Sequence, residues 1–278
     1  MGPLIEWILK RPGALIPVFF LLACIPSFSQ WLPPDGQSAG IAGCYTSLSG
    51  ITSIEGNQAG MGWNEHPILA LEYVMPFTVK ELGYSSLSAV FPASHGSMGG
   101  KLISGGMQGY RDHSIWISYG LKIGSQCTAG IGIHTNVIST SGRFFHRIRS
   151  GCTGGIQLRI SERFMIGGQV RYPVQYNSSG SPYSKLKSAV SLGASLEIHQ
   201  GSYMHADMFL TEFNSYAFSA GFHSDIRDRL RFLAGFKTSP PGFTAGSGFR
   251  ISGFELLFVS QLHLHYGISS FFSLSYGI

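Results

Sequence analysis

Charge is scarce in this chain. Lys, Arg, Asp and Glu make up 12% of its 278 residues, about half the share of an ordinary soluble domain. A water-facing surface for so long a chain would need more, which argues against a soluble sandwich with a charged exterior. Long apolar runs are scarce too. Apolar residues reach 44%, yet beyond the first thirty positions no stretch of about 18 could cross a bilayer as a helix. Cysteine is limited to Cys24, Cys44, Cys127 and Cys152, at spacings that suit neither a disulfide framework nor a metal site. There is no Walker-type Gly-Lys-Ser/Thr loop, no dinucleotide fingerprint between a strand and a helix, and no Gly-x-Ser-x-Gly elbow. These absences lead us to expect no enzyme, no cofactor and no bound metal. Disorder is excluded by the 13% of aromatics, which fall in alternating runs.

The net charge of +5 is dispersed. Arg143, His146, Arg147 and Arg149 form one cluster, and Arg227, Asp228, Arg229 and Arg231 a mixed one. Neither has the context of a nucleic-acid module. Both are read as solvated turns, and the first could equally contact anionic sugar lipids at an outer surface.

A leader is present. Lys10 and Arg11 precede the short apolar run from Ala14 to Cys24, and Ser27-Phe28-Ser29 supplies small residues for cleavage before Gln30. That is the plan of a signal peptide, read over 1–29. Leu21-Leu22-Ala23-Cys24 also fits a lipobox, which would make Cys24 a lipidated first residue. Either way, export is expected. Cleavage at Gln30 leaves Cys44, Cys127 and Cys152, read as small strand residues, with one disulfide plus a lone thiol as the alternative.

From His66 onward the chain alternates with period two, the mark of strands with two chemically different faces. Val190, Leu192, Ala194, Leu196 and Ile198 alternate with Ser191, Gly193, Ser195, Glu197 and His199. Phe254, Leu256, Phe258, Leu262, Leu264 and Tyr266 oppose Glu255, Gln261, His263 and His265. Phe164, Ile166, Val170 and Tyr172 alternate with Gln169 and Arg171. About fourteen such runs follow one another, each near the ten residues a tilted membrane strand requires. With the first strand starting in the periplasm, short connections fall on one side and the longer ones, 143–149 and 175–184, on the other. The fold expected is all-β: a transmembrane antiparallel barrel of about 14 strands over 66–278, in the outer membrane and in contact with its lipids. Phe222, Phe232, Phe236, Phe243, Phe249, Tyr266, Phe272 and Tyr276 are read as its interfacial girdles. Gln169, Arg171, Glu197, His199, Glu255, His263 and His265 are assigned to the polar lumen.

The Gly- and Ser-rich stretch before the strands differs in kind. It is read as a short turn or helix tucked into the barrel end or lumen, the domain at 30–65. Ala39-Gly40-Ile41-Ala42-Gly43-Cys44-Tyr45, followed by Asn57-Gln58-Ala59-Gly60-Met61, resembles the amino-terminal hatch of the FadL-like barrels. It is more similar to the PorV/PorQ-like group, whose pattern reads Asn-Pro-Ala-Gly-Leu; Gln58 and Met61 depart from that pattern. The resemblance implies a fourteen-stranded barrel, with Asn57, Gln58, Ala59, Gly60, Met61 and Trp63 as a hatch motif touching ligand or lumen. It implies three roles: moving hydrophobic small molecules, serving type IX secretion, or assisting a larger outer-membrane machine. Short outer loops and a plugged lumen favour a docking accessory of a secretion or assembly complex. A FadL-like transporter is the alternative, with a lateral opening where Pro92 or Pro173 disturbs a strand.

Overall fold

The computed structural model describes residues 35–140, 145–178, 185–211, 216–264 and 266–277. The leader at 1–29, the first hatch positions 30–34, Arg143, part of the 175–184 connection and His265 lie outside them.

Fourteen antiparallel strands close into a barrel. They are β1 Ile68–Met75, β2 Tyr84–Ala93, β3 Gly96–Met107, β4 Tyr110–Ile123, β5 Cys127–Thr140, β6 Phe145–Ser161 and β7 Phe164–Asn177. The rest are β8 Ala189–His199, β9 Ser202–Thr211, β10 Tyr216–Ile226, β11 Leu230–Thr238, β12 Pro241–Ile251, β13 Phe254–His263 and β14 Gly267–Gly277. Each strand pairs with its sequence neighbours, and β14 returns to β1 with Ile68 opposite Gly277 and Met75 opposite Ser270. Closure gives every strand a hydrogen-bonded neighbour on both sides, so no strand stands as an open edge.

Period two becomes two faces. On β5, Ile131 and Ile133 are 69% and 62% exposed, while His134 is fully buried. The same outward apolar row runs through Leu192 and Leu196 on β8, Phe243 and Phe249 on β12, and Phe258 on β13. Ser118, Gln157, Gln169, Asp207 and Gln261 point inward and are buried. An apolar outside around a polar inside inverts a soluble protein and matches what hydrocarbon requires of a wall. Of the aromatics read as girdles, Phe222, Phe232, Phe236, Phe243, Phe249, Tyr266 and Phe272 all stand on the exposed outer face.

Connection lengths separate the two ends. Where β1 begins and β14 finishes, every turn between strands runs two or three residues. At the far end the β1–β2 and β7–β8 connections span residues 76–83 and 178–188, although the β3–β4 turn there is also tight.

One alternation needs correction. Tyr172 was expected on the outer face with Val170, but it is buried inside. Its backbone is left-handed, with φ +51, and the β6–β7 register shifts between Gly151 and Thr153. Residues 172–174 thus stand opposite Cys152 alone, a bulge that flips the side chain to the other face. Gly151 makes room, since a Cβ there would meet the Tyr172 ring. Inside, the Tyr172 hydroxyl sits 2.9 Å from His134 Nδ1.

Candidate functional site

The lumen is filled from within by the segment before β1. A short helix, α1 Gly36–Gly40, is capped by the Asp35 carboxylate, which accepts from Ser38 N. Ala42 and Gly43, both at positive φ, end it. Two 3-10 turns follow, Gly50–Ile54 and Gln58–Trp63. Ile41, Ile54 and Met61 are fully buried, each such burial being worth about 1.5–3 kcal/mol.

The hatch motif lies at the centre of this plug. Asn57 through Met61 are all buried. The Asn57 amide donates to Thr46 O at 2.7 Å and to Ile156 O of β6 at 3.0 Å, and its carbonyl caps the second turn at Ala59 N. Gln58 donates to Gly56 O at 2.7 Å and to Ile54 O at 3.3 Å. Trp63 reaches the chain-end mouth, where its Nε1 donates to Gln157 at 2.9 Å and its ring lies under Arg159.

Three anchors tie plug to wall. In the first, Lys101 of β3 lies 3.2 Å from both Glu55 of the hatch and Glu72 of β1. Glu72 also accepts from the hatch backbone at Gly36 N, at 2.7 Å, and from Ser86 of β2. Burial pushes the Asp35 carboxyl up, with neighbouring Glu72 adding to the effect. Burial likewise raises Glu55, against the pull of Lys101. In the second, Asp207 of β9 accepts from Tyr45 N, Thr46 N and the Thr46 hydroxyl at 2.7–2.9 Å. In the third, Gln157 donates to Thr46 O and Leu48 O, and Gln169 to Gly56 O.

Inner-wall glycines let the plug approach. A Cβ on Gly130 would collide with the Gln58 backbone, and one on Gly155 with the Asn57 side chain. Gly130→Ala should therefore destabilise the seated hatch by about 1–3 kcal/mol. Faster modification of a cysteine placed at Ala59 would report it, whereas an unchanged rate would mean that the plug does not press on β5.

The residues assigned to the lumen from sequence divide among separate places. Gln169 and Arg171 meet the hatch, Arg171 donating to Glu55 O with its guanidinium 5.0 Å from the Tyr45 ring centroid. Glu255 sits near the chain-end mouth in a quartet with Arg231, Arg250 and Asp225. Glu197 accepts from Gly201 N at the β8–β9 turn. His199, past a register shift in β8, is exposed rather than inside the lumen. His263 is at the far mouth, 3.1 Å from the Ser269 hydroxyl and packed on Phe77. His265 lies outside the described residues. Among those residues no three metal-ligating side chains converge. Lys101, Glu72, Asp207 and Gln157 were missed, although each occupies the inward phase of its strand.

Above the plug, at the far end, a cavity of about 260 Å3 opens between Tyr45, Arg171, Tyr172, Phe209, Tyr216 and Lys237. The Tyr45 and Phe209 rings pack on one another at its wall, with centroids 5.3 Å apart.

A closed fourteen-stranded barrel with an apolar wall and an N-terminal plug defines a class of architecture, and solved structures share it. No family model matches the chain, and no curated protein does. A FadL homologue from Pseudomonas aeruginosa superposes with TM-score 0.63 at 12% identity, covering 88% of this chain and 98% of that one. The toluene transporter TodX of P. putida gives 0.71 at 10% identity, covering 88% and 98%. The monoaromatic hydrocarbon channel CymD gives 0.58 at 10%, covering 87% and 96%. At such identities the likeness establishes the fold.

Proposed function

We propose that this chain is an outer-membrane channel for small hydrophobic molecules, exported by its leader and closed at rest by its hatch. The observation that carries the reading is the seated plug beneath an aromatic-lined cavity, in a barrel whose fold is shared with a toluene transporter and a hydrocarbon channel. A secretion or assembly accessory would also tolerate a plugged lumen, but only the hatch resemblance to the PorV/PorQ-like group supports it. It therefore stands second.

An exit through the wall would fit best beside β7. The β7–β8 register ends at Arg171 and Ala189, beyond which the described link is Ser188 Oγ donating to Tyr172 O at 2.7 Å, and Pro173 contributes no N–H there. Pro92, the other proline considered, sits in unbroken register with Ser97. A lateral opening beside Tyr172 and Pro173 would let an apolar cargo leave into the bilayer without crossing the plug.

The test is toluene uptake by Gram-negative cells stripped of their own hydrocarbon channels, with and without this chain in the outer membrane. Faster uptake, lost when a disulfide pins β7 to β8 beyond Arg171, is the expected result. Unchanged uptake, together with stoichiometric recovery of a larger complex in mild detergent, would replace this reading with the accessory one.

A further inference from the structure

Two rows of side chains cross the outer face of the wall between β11 and β1, and a hollow of about 650 Å3 lies along them. Strand register builds both rows. In the lower one Leu230, Phe249, Leu256, Leu274 and Leu71 stand opposite one another in turn. In the upper one Phe232, Ser247, Phe258, Phe272 and Tyr73 do the same. All are exposed. Ser247 is the one short side chain among them, and it opens a notch between Phe232 and Phe258.

The hollow has a direction. Leu230 opens β11 at the chain-end rim, whereas Leu71 stands midway along β1. The rows therefore climb from the rim towards the middle of the wall as they pass from β11 to β1. At the low end, Arg227 and Arg229 of the β10–β11 turn are exposed, and among the described residues neither has an ion pair. Asp228 between them leaves the turn one positive charge in excess. Arg231 and Arg250, a little further along, are matched by Asp225 and Glu255.

These dimensions choose between occupants. The rows are two residues apart, about 7 Å, too narrow to seat a helix about 10–12 Å across. A second copy in a two-fold contact would set hollow against hollow and fill neither. An extended acyl chain fits between the rows, and each methylene it buries contributes about 0.8 kcal/mol. Its head then stands at the rim, where a phosphate accepts from a guanidinium.

We propose that this hollow is a site for one anionic phospholipid, its acyl chain lying between the rows and its phosphate held at Arg227 and Arg229. The proposal rests on the membrane placement of the wall and not on what the channel carries.

The test is native mass spectrometry of the full-length barrel in mild detergent, offered phosphatidylglycerol and phosphatidylcholine with the same acyl chains. Phosphatidylglycerol should be retained about fivefold over phosphatidylcholine, the factor that about 1 kcal/mol per basic residue gives. Arg227→Gln combined with Arg229→Gln should bring the two lipids to parity. Ser247→Phe, which fills the notch without touching the rim, should lower retention of both lipids while keeping the heat-modifiable gel mobility of the folded barrel. Equal retention of the two by the parent overturns the anionic headgroup. A preference that survives the paired arginine substitution in a folded barrel overturns the assignment to this turn. Retention unchanged by Ser247→Phe overturns the assignment to the hollow. Retention of neither lipid overturns the proposal outright, and a dimer abolished by Ser247→Phe would put a second copy in the lipid's place.

Discussion

Replacing Lys101 by methionine should lower the unfolding free energy of the barrel by about 3–5 kcal/mol and release the hatch. Lys101 is 4% exposed and lies 3.2 Å from a carboxylate of the plug and 3.2 Å from one of the wall. Methionine keeps much of the volume but leaves Glu55 and Glu72 facing one another inside the lumen. With both ion pairs gone, like charges that cannot reach water either repel or take up a proton, and both outcomes weaken the Gly36 N–H bond to Glu72. Urea unfolding followed by tryptophan fluorescence measures the loss. Single-channel recording should show the variant conducting ions where the parent is nearly silent. Adding Glu55→Gln to Lys101→Met removes one of the stranded charges and should recover part of the stability. If the single variant unfolds and conducts like the parent, Lys101 does not hold the plug.

The architecture was legible in the sequence because a membrane wall imposes one rule on every strand. Residues facing lipid must be apolar, so Ile131 and Ile133, or Leu192 and Leu196, declare their face by spacing alone. The same spacing implies the inward position of Gln169. It failed at Tyr172, because a bulge adds residues and flips the side chain, and neither Gly151 nor the left-handed backbone shows as a break in hydropathy. It failed at His199 because a register shift precedes the β8–β9 turn.

The plug was legible only as a segment unlike the strands. Its anchors were hidden because pairing between Lys101 and Glu55, or between Asp207 and Thr46, depends on where the lumen brings distant residues. One signal did exist. Lys101 shares the inward phase with Ser97 and Gly99, and Asp207 the phase opposite Met204 and Met208. A lone ion on that phase of a membrane strand requires a partner. Gln58, where the resembled pattern has proline, uses its amide to brace Ile54 and Gly56.

Asp207→Ala should rank with Lys101→Met in effect, for a different reason. One carboxylate oxygen, Oδ2, accepts all three hydrogen bonds from Tyr45 and Thr46, and Oδ1 has no partner among the described residues. Alanine strands two backbone N–H groups and a hydroxyl where water is excluded, at about 1–3 kcal/mol for each unsatisfied group. Asp207→Asn can place its carbonyl where Oδ2 stood and its amide where Oδ1 had no partner. It should therefore keep the hatch seated and lose about 1–3 kcal/mol, from the weaker neutral acceptor and from an amide N–H that finds no partner where Oδ1 stood, still less than alanine loses. The ordering alanine, then asparagine, then parent in urea midpoint is the expected result. An asparagine variant as weak as alanine would mean that the charge, rather than the acceptor, holds the plug. Combining Asp207→Ala with Lys101→Met then reads how the hatch is held. A plug that leaves as one rigid body gives a double loss smaller than the sum, because its release abolishes both anchors at once. A plug held in separate segments gives losses that add, as distant independent sites do.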